Sequence, residues 1–338
     1  MITVASVNCA GLRGSNITGK SANRGYPMSR WLKNSPDIDI LALQETRVNE
    51  EQARDPLLKL GIEYEKFFFQ QDNNRKGHSG VALIALRGRF ENIKTPFEEI
   101  EETEKHCFSG RWIEADYTAE NGAKLKVVSA YLHHADSPKV KLNNGELISR
   151  EKSIKTMDDK HIFMSRVTSR LRELKKESEN GLLEKQKIPL LVVGDFNIAH
   201  HDIDIKNSKG NIDKAGFLPE ERAWVSLWMG NSVNDERASF QNYEYNPRLD
   251  YSPPKTDEFE RGELGLVDVH RQLLDKKEVY TWWSNRGRAF DNDTGWRIDY
   301  QMASPDLAKK AVHARVDRAD SYAHRWSDHC PLVISYDV

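Results

Sequence analysis

Five short runs of aliphatic and β-branched residues constrain this chain most: ITVASV at 2–7, DILAL at 39–43, VALIAL at 81–86, KVVSAYL at 126–132 and IPLLVV at 188–193. Each has strand length and strand composition, so they read as the strands of a sheet. Between Arg150 and Lys176 the pattern changes. Ile154, Met157, His161, Met164, Val167, Leu171 and Leu174 recur at spacings of three and four, which predicts an amphipathic helix lying on a sheet. A second helix is predicted from Pro219 through EERAWVSLWM, because a proline φ suits the first turn and Glu220 and Glu221 complement the positive end. A third is predicted over LGLVDVHRQLL at 264–274. Strands in both halves, helices between them and no repeat or dividing linker predict a layered α/β sandwich forming one domain, 1–338.

Polar, turn-rich stretches at 13–27, 134–149, 204–216, 243–262 and 284–295 read as long surface loops, and loops of this length without structure of their own are usually functional or disordered. A formal net charge of −2 gives no global basicity, so any nucleic-acid surface must be local. Cys9, Cys107 and Cys330 have neither CxxC nor zinc spacing, which predicts reduced, mostly buried thiols in a cytoplasmic protein. The N-terminus enters a strand-like run without a basic leader and no apolar stretch approaches about 18 residues, so neither a secretion signal nor a membrane span is expected.

The chemistry gathers at strand ends. GDFN at 194–197 follows the apolar LLVV, and strand alternation aims Asp195 and Asn197 the same way. A carboxylate beside an amide can orient and deprotonate a water and hold a phosphate oxygen, although the same four residues also suit a plain Asx-turn. SDH at 327–329 places Asp328 and His329 at the start of a terminal strand, and GWRIDY at 295–300 puts Asp299 on another. An imidazole paired with a carboxylate can stay cationic and stabilise charge on a pentacovalent phosphate; a lone histidine is more often structural. LQET ends a strand with Glu45 and SVNCAGLRG ends one with Asn8, and hard oxygen ligands of this kind suit Mg²⁺. Zinc is not expected, since no His or Cys cluster has its spacing.

Taken together, Asn8, Glu45, Asp195, Asn197, Asp299, Asp328 and His329, in this order and context, resemble the exonuclease III family of abasic-site endonucleases within the endonuclease/exonuclease/phosphatase superfamily. The resemblance runs through HSGVALI, GRWI, SAYL, GDFNIAHHDIDIKN, AGFLPEERAW, LVDVHR, YTWW, GWRIDYQMAS and SDHCPL, nearly the whole chain. It implies a four-layered α/β sandwich of two mixed β-sheets packed face to face and flanked by helices. It further implies a monomeric, Mg²⁺-dependent enzyme, with Mn²⁺ as substitute, that cuts double-stranded DNA 5′ to abasic sites in the cytoplasm, at the bacterial nucleoid, with 3′–5′ exonuclease or 3′-end trimming as a further activity. Position by position, Glu45 would hold the metal with Asn8 and Asp328 nearby. Asp195 would act as base on the attacking water or as acid on the leaving oxygen. Asn197 would orient water or phosphate, His329 supported by Asp299 would bind the phosphate, and Tyr131 would donate its hydroxyl. Trp296 and Trp282 match the pocket for the flipped-out sugar, with one of Trp282 and Trp283 expected in the core. Lys206, Lys209 and Lys214, with Asn207, would grip backbone phosphates.

Two features depart from the family pattern. Ala10 stands where the family usually carries Asn or Asp, which predicts an altered metal shell, and the stretches at 15–26 and 243–262 look expanded. After Tyr131 only His134, Lys139 and Lys141 suggest themselves as groove-reaching residues. The alternatives are another phosphodiesterase of the superfamily, disfavoured by GWRIDY and GFLPEERAW, and a catalytically weakened damaged-DNA-binding protein.

Overall fold

The computed structural model of the protein describes residues 1–12, 27–63, 66–73, 75–97, 105–137, 139–141, 147–149, 151–180, 187–229, 264–274 and 278–338. Among these residues the strands form two six-stranded mixed sheets and one two-stranded sheet. In the first sheet, β1 (Ile2–Asn8) lies at the centre between β2 (Ile40–Gln44) and β14 (Leu332–Tyr336). β4 (Val81–Ala85) and β3 (Phe67–Gln70) extend it beyond β2, and β13 (Ala311–Val316) extends it beyond β14. In the second sheet, β10 (Leu190–Asp195) sits between β7 (Lys124–Tyr131) and β12 (Asp299–Ala303). β6 (Trp112–Thr118) and β5 (Arg89–Lys94) continue past β7, and the two-residue β11 (Val267–Asp268) lies on β12.

Strand alternation separates three cores, because successive side chains leave opposite faces of a sheet. Ile2, Val4, Ile40, Ala42, Leu83, Val127, Leu191, Val193 and Ile334 meet between the sheets. Ala5, Val7, Leu41 and Leu43 face outward to the helices Met28–Lys33 and Glu50–Lys59. Val128, Leu190 and Val192 face outward to the long helix Glu151–Asn180, through Phe163, Met164, Val167, Leu171 and Leu174, and to the helix Pro219–Trp228. The architecture is thus helix, sheet, sheet, helix, as the resemblance implied.

Between the sheets the packing is not wholly apolar. Gln301 donates its amide to the carbonyls of Val4 (2.8 Å) and Leu332 (3.1 Å) across the interface and accepts from the Tyr336 hydroxyl (3.0 Å). Gln44 donates to Ser129 at 3.0 Å. These bonds join buried polar groups of one sheet to the other and fix how the two are aligned.

Three expectations need correction. The helix read over 264–274 is confined to Val269–Leu273. Val267 and Asp268 instead pair with β12, and the Asp268 carboxylate accepts the Arg271 N–H at 3.1 Å, which starts the helix late. The stretch 134–149 is not all loop, since β8 (Lys139–Lys141) pairs with β9 (Leu147–Ser149); Asn144-Gly145 between them in sequence is a hairpin signal. The terminal strand begins at Leu332, three residues beyond His329, after Pro331, which has no N–H to give a ladder. The loops expected at 13–27, up to residue 26, and at 243–262 lie outside the described residues, as do the side chains of Lys139 and Lys141. Among the described residues no helix is long and apolar enough to cross a membrane. The three cysteines are free and buried, as expected.

One core substitution and one pH titration test this packing. Gln301→Leu strands the Val4 and Leu332 carbonyls, and should lower the unfolding free energy by about 1–3 kcal/mol in urea titration; an unchanged midpoint would show that the inter-sheet bonds add nothing. His161, packed on Trp224, is pushed down to about 3 by burial and by Lys160 beside it, and His270 to about 4 by burial and by Arg297. Both folded values lie below the unfolded value of about 6.5, so the unfolded chain takes up protons first as pH falls. Stability should be full above about pH 6.5 and decline toward pH 4 by about 1.4 kcal/mol per pH unit per histidine. A flat stability profile over that window would contradict the buried neutral assignment.

Candidate active site at the sheet ends

Both sheets deliver polar residues to the same end of the sandwich. Parallel strands β1 and β2 finish at Asn8 and Gln44, with Glu45 next in the chain, and parallel strands β7 and β10 finish at Tyr131 and Asp195. β12 is antiparallel to β10 and starts at Asp299, directly opposite Asp195. β14 is antiparallel to β1, so the residues leading into it, Asp328 and His329, return to this end. Ser327 ties that return to the first strand by donating its hydroxyl to the Asn8 carbonyl at 2.7 Å and accepting from the His329 N–H at 3.2 Å.

Gly194 makes the second sheet close here. A Cβ at this residue would stand 1.8 Å from the Ala130 carbonyl oxygen, so only glycine lets β10 approach β7 just before Asp195. The backbone is also strained around the site. Ala10 (φ 50°), Glu45 (φ 52°) and Asn197 (φ 50°) all adopt the left-handed region, which costs most residues on the order of 1–3 kcal/mol. Alternation therefore does not aim Asn197 alongside Asp195, as the sequence suggested. The left-handed turn does so, by carrying the Asn197 amide back over the strand end.

The resulting hydrogen bonds form one cluster. Asn8 donates its amide to Asp195 Oδ2 at 2.9 Å and Glu45 Oε1 at 3.0 Å, bridging the two carboxylates. Tyr131 donates its hydroxyl to Glu45 Oε1 at 2.6 Å. Asp195 Oδ1 accepts the Asn197 backbone N–H at 2.9 Å, and the Asn197 amide donates to the Leu132 carbonyl at 2.9 Å and to Asp195 Oδ2 at 3.3 Å. His329 Nδ1 lies 2.9 Å from Asp299 Oδ2, and its Nε2 lies 3.6 Å from Asp195 Oδ2.

Charge follows from these contacts. Burial opposes protonation of His329, but the carboxylates of Asp299 and Asp195 outweigh it and raise the imidazole to about 10. Burial raises the Asp195 carboxyl, against the pull of His329. Burial also works against ionisation of Glu45, yet the Arg47 guanidinium, the Tyr131 hydroxyl and the Asn8 amide hold it below its ordinary range. Arg47 pairs with Glu45 directly. It was not among the residues singled out from the sequence, although it stands two positions after Glu45 in LQETR.

Asp195, Asp299 and His329 each bring an atom within 4.8 Å of the others, a grouping that could hold a metal ion. His329 already spends Nδ1 on Asp299, and Asp299 spends one oxygen on the imidazole while its Oδ1 stays buried without a hydrogen-bond partner. Glu45 offers the better donor: an ionised, hard oxygen ligand, with the half-buried Asp328 on the same side of the sandwich. Asn8 is less suited, because its amide N–H atoms face the two carboxylates and its Oδ1 accepts the Ala10 N–H at 3.0 Å. Ala10 brings no side-chain ligand. This donor set fits a cation that keeps several of its waters.

Beside the charged cluster stands an apolar wall. Trp282 and Trp296 meet edge to face at 6.1 Å and pack on Ala199, Ile205, Phe217 and Ile298, while Trp283 turns away into a core with Tyr280 and Phe290. Trp282 also donates its indole N–H to Asp328 Oδ2 at 3.2 Å. Of the basic loop, Lys206 pairs with Glu278 at 2.8 Å, and Lys209 and Lys214 are exposed. Asn207 takes a left-handed φ of 60°, and His134 is exposed.

The chain matches the model of the endonuclease/exonuclease/phosphatase family over residues 5–329. An exodeoxyribonuclease of Streptococcus pneumoniae is 26% identical over 312 residues, covering 89% of this chain and 87% of that protein. The DNA repair nuclease APEX1 of Danio rerio is 26% identical over 306 residues, covering 90% of this chain and 74% of that protein. Among solved structures, an AP endonuclease from Archaeoglobus fulgidus has the same fold, with a TM-score of 0.64 at 21% identity over the full length of both chains. A match that runs from the first strand to His329 and takes in every strand end of the site settles the assignment: the chain belongs to the endonuclease/exonuclease/phosphatase family.

Proposed function

We propose that this chain is a DNA-repair nuclease that hydrolyses the phosphodiester 5′ to an abasic site in duplex DNA, leaving 3′-hydroxyl and 5′-deoxyribose-phosphate ends. A paired imidazole and carboxylate beside an apolar wall of two tryptophans supports it most. The first suits a phosphate, and the second suits a sugar that carries no base and so leaves the helix at least cost. Relatives named exodeoxyribonuclease and DNA repair nuclease agree with a DNA substrate.

In the proposed reaction the phosphate lies against His329, whose cationic Nε2 faces the position of developing negative charge while Asp299 fixes the ring through Nδ1. Asp195 is held on both oxygens, by Asn8 and by Asn197, so its carboxylate can take a proton from a water aligned with the phosphorus. Asn197 orients that water or a phosphate oxygen, and Tyr131 places its hydroxyl between Glu45 and the phosphate. Glu45, with Asp328 at its edge, would hold Mg²⁺, or Mn²⁺ in its place, which when bound neutralises phosphate charge. Trp296 and Trp282 exclude a base from the sugar pocket, and Lys206, Lys209 and Lys214 contact backbone phosphates outside it. The enzyme acts as a monomeric, single-domain cytoplasmic protein, at the nucleoid in a bacterial cell.

A labelled duplex with one abasic-site analogue should be nicked 5′ to the analogue in Mg²⁺, left whole in EDTA, and nicked again on addition of Mn²⁺. A duplex left whole in Mg²⁺ would overturn the reading. Asp195→Asn should lower kcat by about 10²–10⁴-fold, while the affinity for the damaged duplex, measured by anisotropy, stays near that of the wild type. Equal loss of affinity would make Asp195 a structural residue.

A further inference from the structure

Lys160 is wholly buried on the helix Glu151–Asn180. Its Nζ donates to the backbone carbonyl of Asn197 at 3.0 Å and to Glu221 Oε1 at 2.5 Å. Glu221, equally buried, opens the helix Pro219–Trp228, and its Oε2 accepts the N–H groups of Gly216 (2.6 Å) and Leu218 (3.1 Å). Gly216 returns to the strand end through its carbonyl, which accepts the Ala199 N–H at 2.8 Å. Four segments thus meet on one ammonium and one carboxylate.

Burying such a pair is seldom a gain in stability, since desolvating two charges offsets their attraction. Its geometry has another use. The left-handed turn at Asn197 directs the Asn197 carbonyl inward, where it must find a donor. Lys160 supplies that donor, and so holds the peptide whose side chain binds Asp195 and the Leu132 carbonyl. Gly216 abuts the same carbonyl: a Cβ there would lie 3.0 Å from Asn197 O and 3.1 Å from Cζ3 of Trp296. The Glu221 carboxylate fixes this glycine, so one clamp locates both Asn197 and the face of Trp296.

We propose that Lys160, through the Asn197 carbonyl and its pair with Glu221, is a positioning residue for the reaction, setting the Asn197 amide against Asp195 and, by way of Gly216, the tryptophan wall. This rests on the nuclease reading above. It predicts that loss of the clamp reaches catalysis through Asn197 and not through global stability.

A double-mutant cycle separates the two. Lys160→Met alone leaves Glu221 buried without its partner, so the main variant is Lys160→Met with Glu221→Gln, which keeps an oxygen for the Gly216 and Leu218 N–H groups. On the abasic duplex it should lower kcat by about 10–100-fold, as for a misplaced catalytic group, with duplex affinity within about threefold. In an Asn197→Ala background the same pair of changes should cost less than about threefold. Equal losses in both backgrounds, or no loss in either, overturn the proposal. Should the paired variant not fold, Gly216→Ala presses its Cβ on the Asn197 carbonyl and on Trp296 and must lower kcat on the abasic duplex; wild-type kcat there overturns the proposal. If the wild type itself does not nick, the substrate reading fails on its own. The ¹⁵N side-chain amide signals of Asn197, identified by their loss in Asn197→Ala, then decide the positioning claim: they must shift and exchange faster without the clamp, and unchanged signals overturn it.

Discussion

Glu45, Asp195 and Asp299 converge at the ends of two packed sheets, where water is scarce and like charges repel strongly. Few arrangements allow three carboxylates to share such a place. Here one imidazolium stands between Asp299 and Asp195, one amide bridges Asp195 and Glu45, and a phenol and a guanidinium cover the remaining face of Glu45. Each of these groups has its position dictated by the carboxylates it serves, and the strand register dictates the carboxylates. Asp195 lies opposite Asp299 on one side and Tyr131 on the other because β10 pairs with both β12 and β7. A one-residue slip in either ladder would send every site residue on that strand to the other face.

That register was readable in part. The central strands are apolar on both faces, so ITVASV, DILAL, VALIAL and IPLLVV stand out in the sequence, and a polar residue at the end of each marks where the chain leaves the core. The edge strands do not stand out. RFENIK in β5 keeps most of its side chains in solvent and AVHARV in β13 buries none of its side chains fully, so their pairing is decided by the neighbouring strand and not by their own composition. The same holds for side chains. Asp195, Asp299 and His329 could be picked out because motif and strand end coincide. Lys160, Glu221 and Arg297 could not, because a charged residue looks alike in sequence whether it is solvated or buried, and only contacts between segments distant along the chain decide which. Asn197 marks the limit most clearly: its neighbourhood was foreseen, but through alternation, whereas a left-handed turn brings it there.

Buried charge also holds the other flank. Asp204 loses hydration on burial, yet Arg297 and Arg271 hold its carboxyl far below the usual range, with Arg297 bonding both its oxygens at 2.8 and 2.9 Å. The Arg297 N–H donates to the Asp204 carbonyl at 2.7 Å, and Lys206 N–H donates to the Gly295 carbonyl at 3.0 Å. The basic loop after GDFN is thereby stitched to the segment that carries Trp296 and leads into Asp299. Part of its charge is spent internally, as Lys206 on Glu278 shows. A net charge of −2 for the chain is no obstacle to a nucleic-acid surface built in this way, since the positive groups that matter are placed locally.

The apolar wall and the charged cluster share a backbone. Trp282 forms bridges with Trp296 on one side and with His329 on the other, and its indole reaches Asp328. Thr281, the residue before it, accepts the Cys330 N–H through its carbonyl and the Ile298 and Asp299 N–H groups through its hydroxyl. One short segment therefore sets the distance between the surface proposed to receive a baseless sugar and the imidazole proposed to receive its phosphate. Because Trp282 is bridged to both Trp296 and His329, any movement of the wall would be passed to the imidazole. On the proposed reading, selectivity for the damaged nucleotide and alignment of the scissile phosphate would be one property, because the same hydrogen bonds hold the wall and the imidazole.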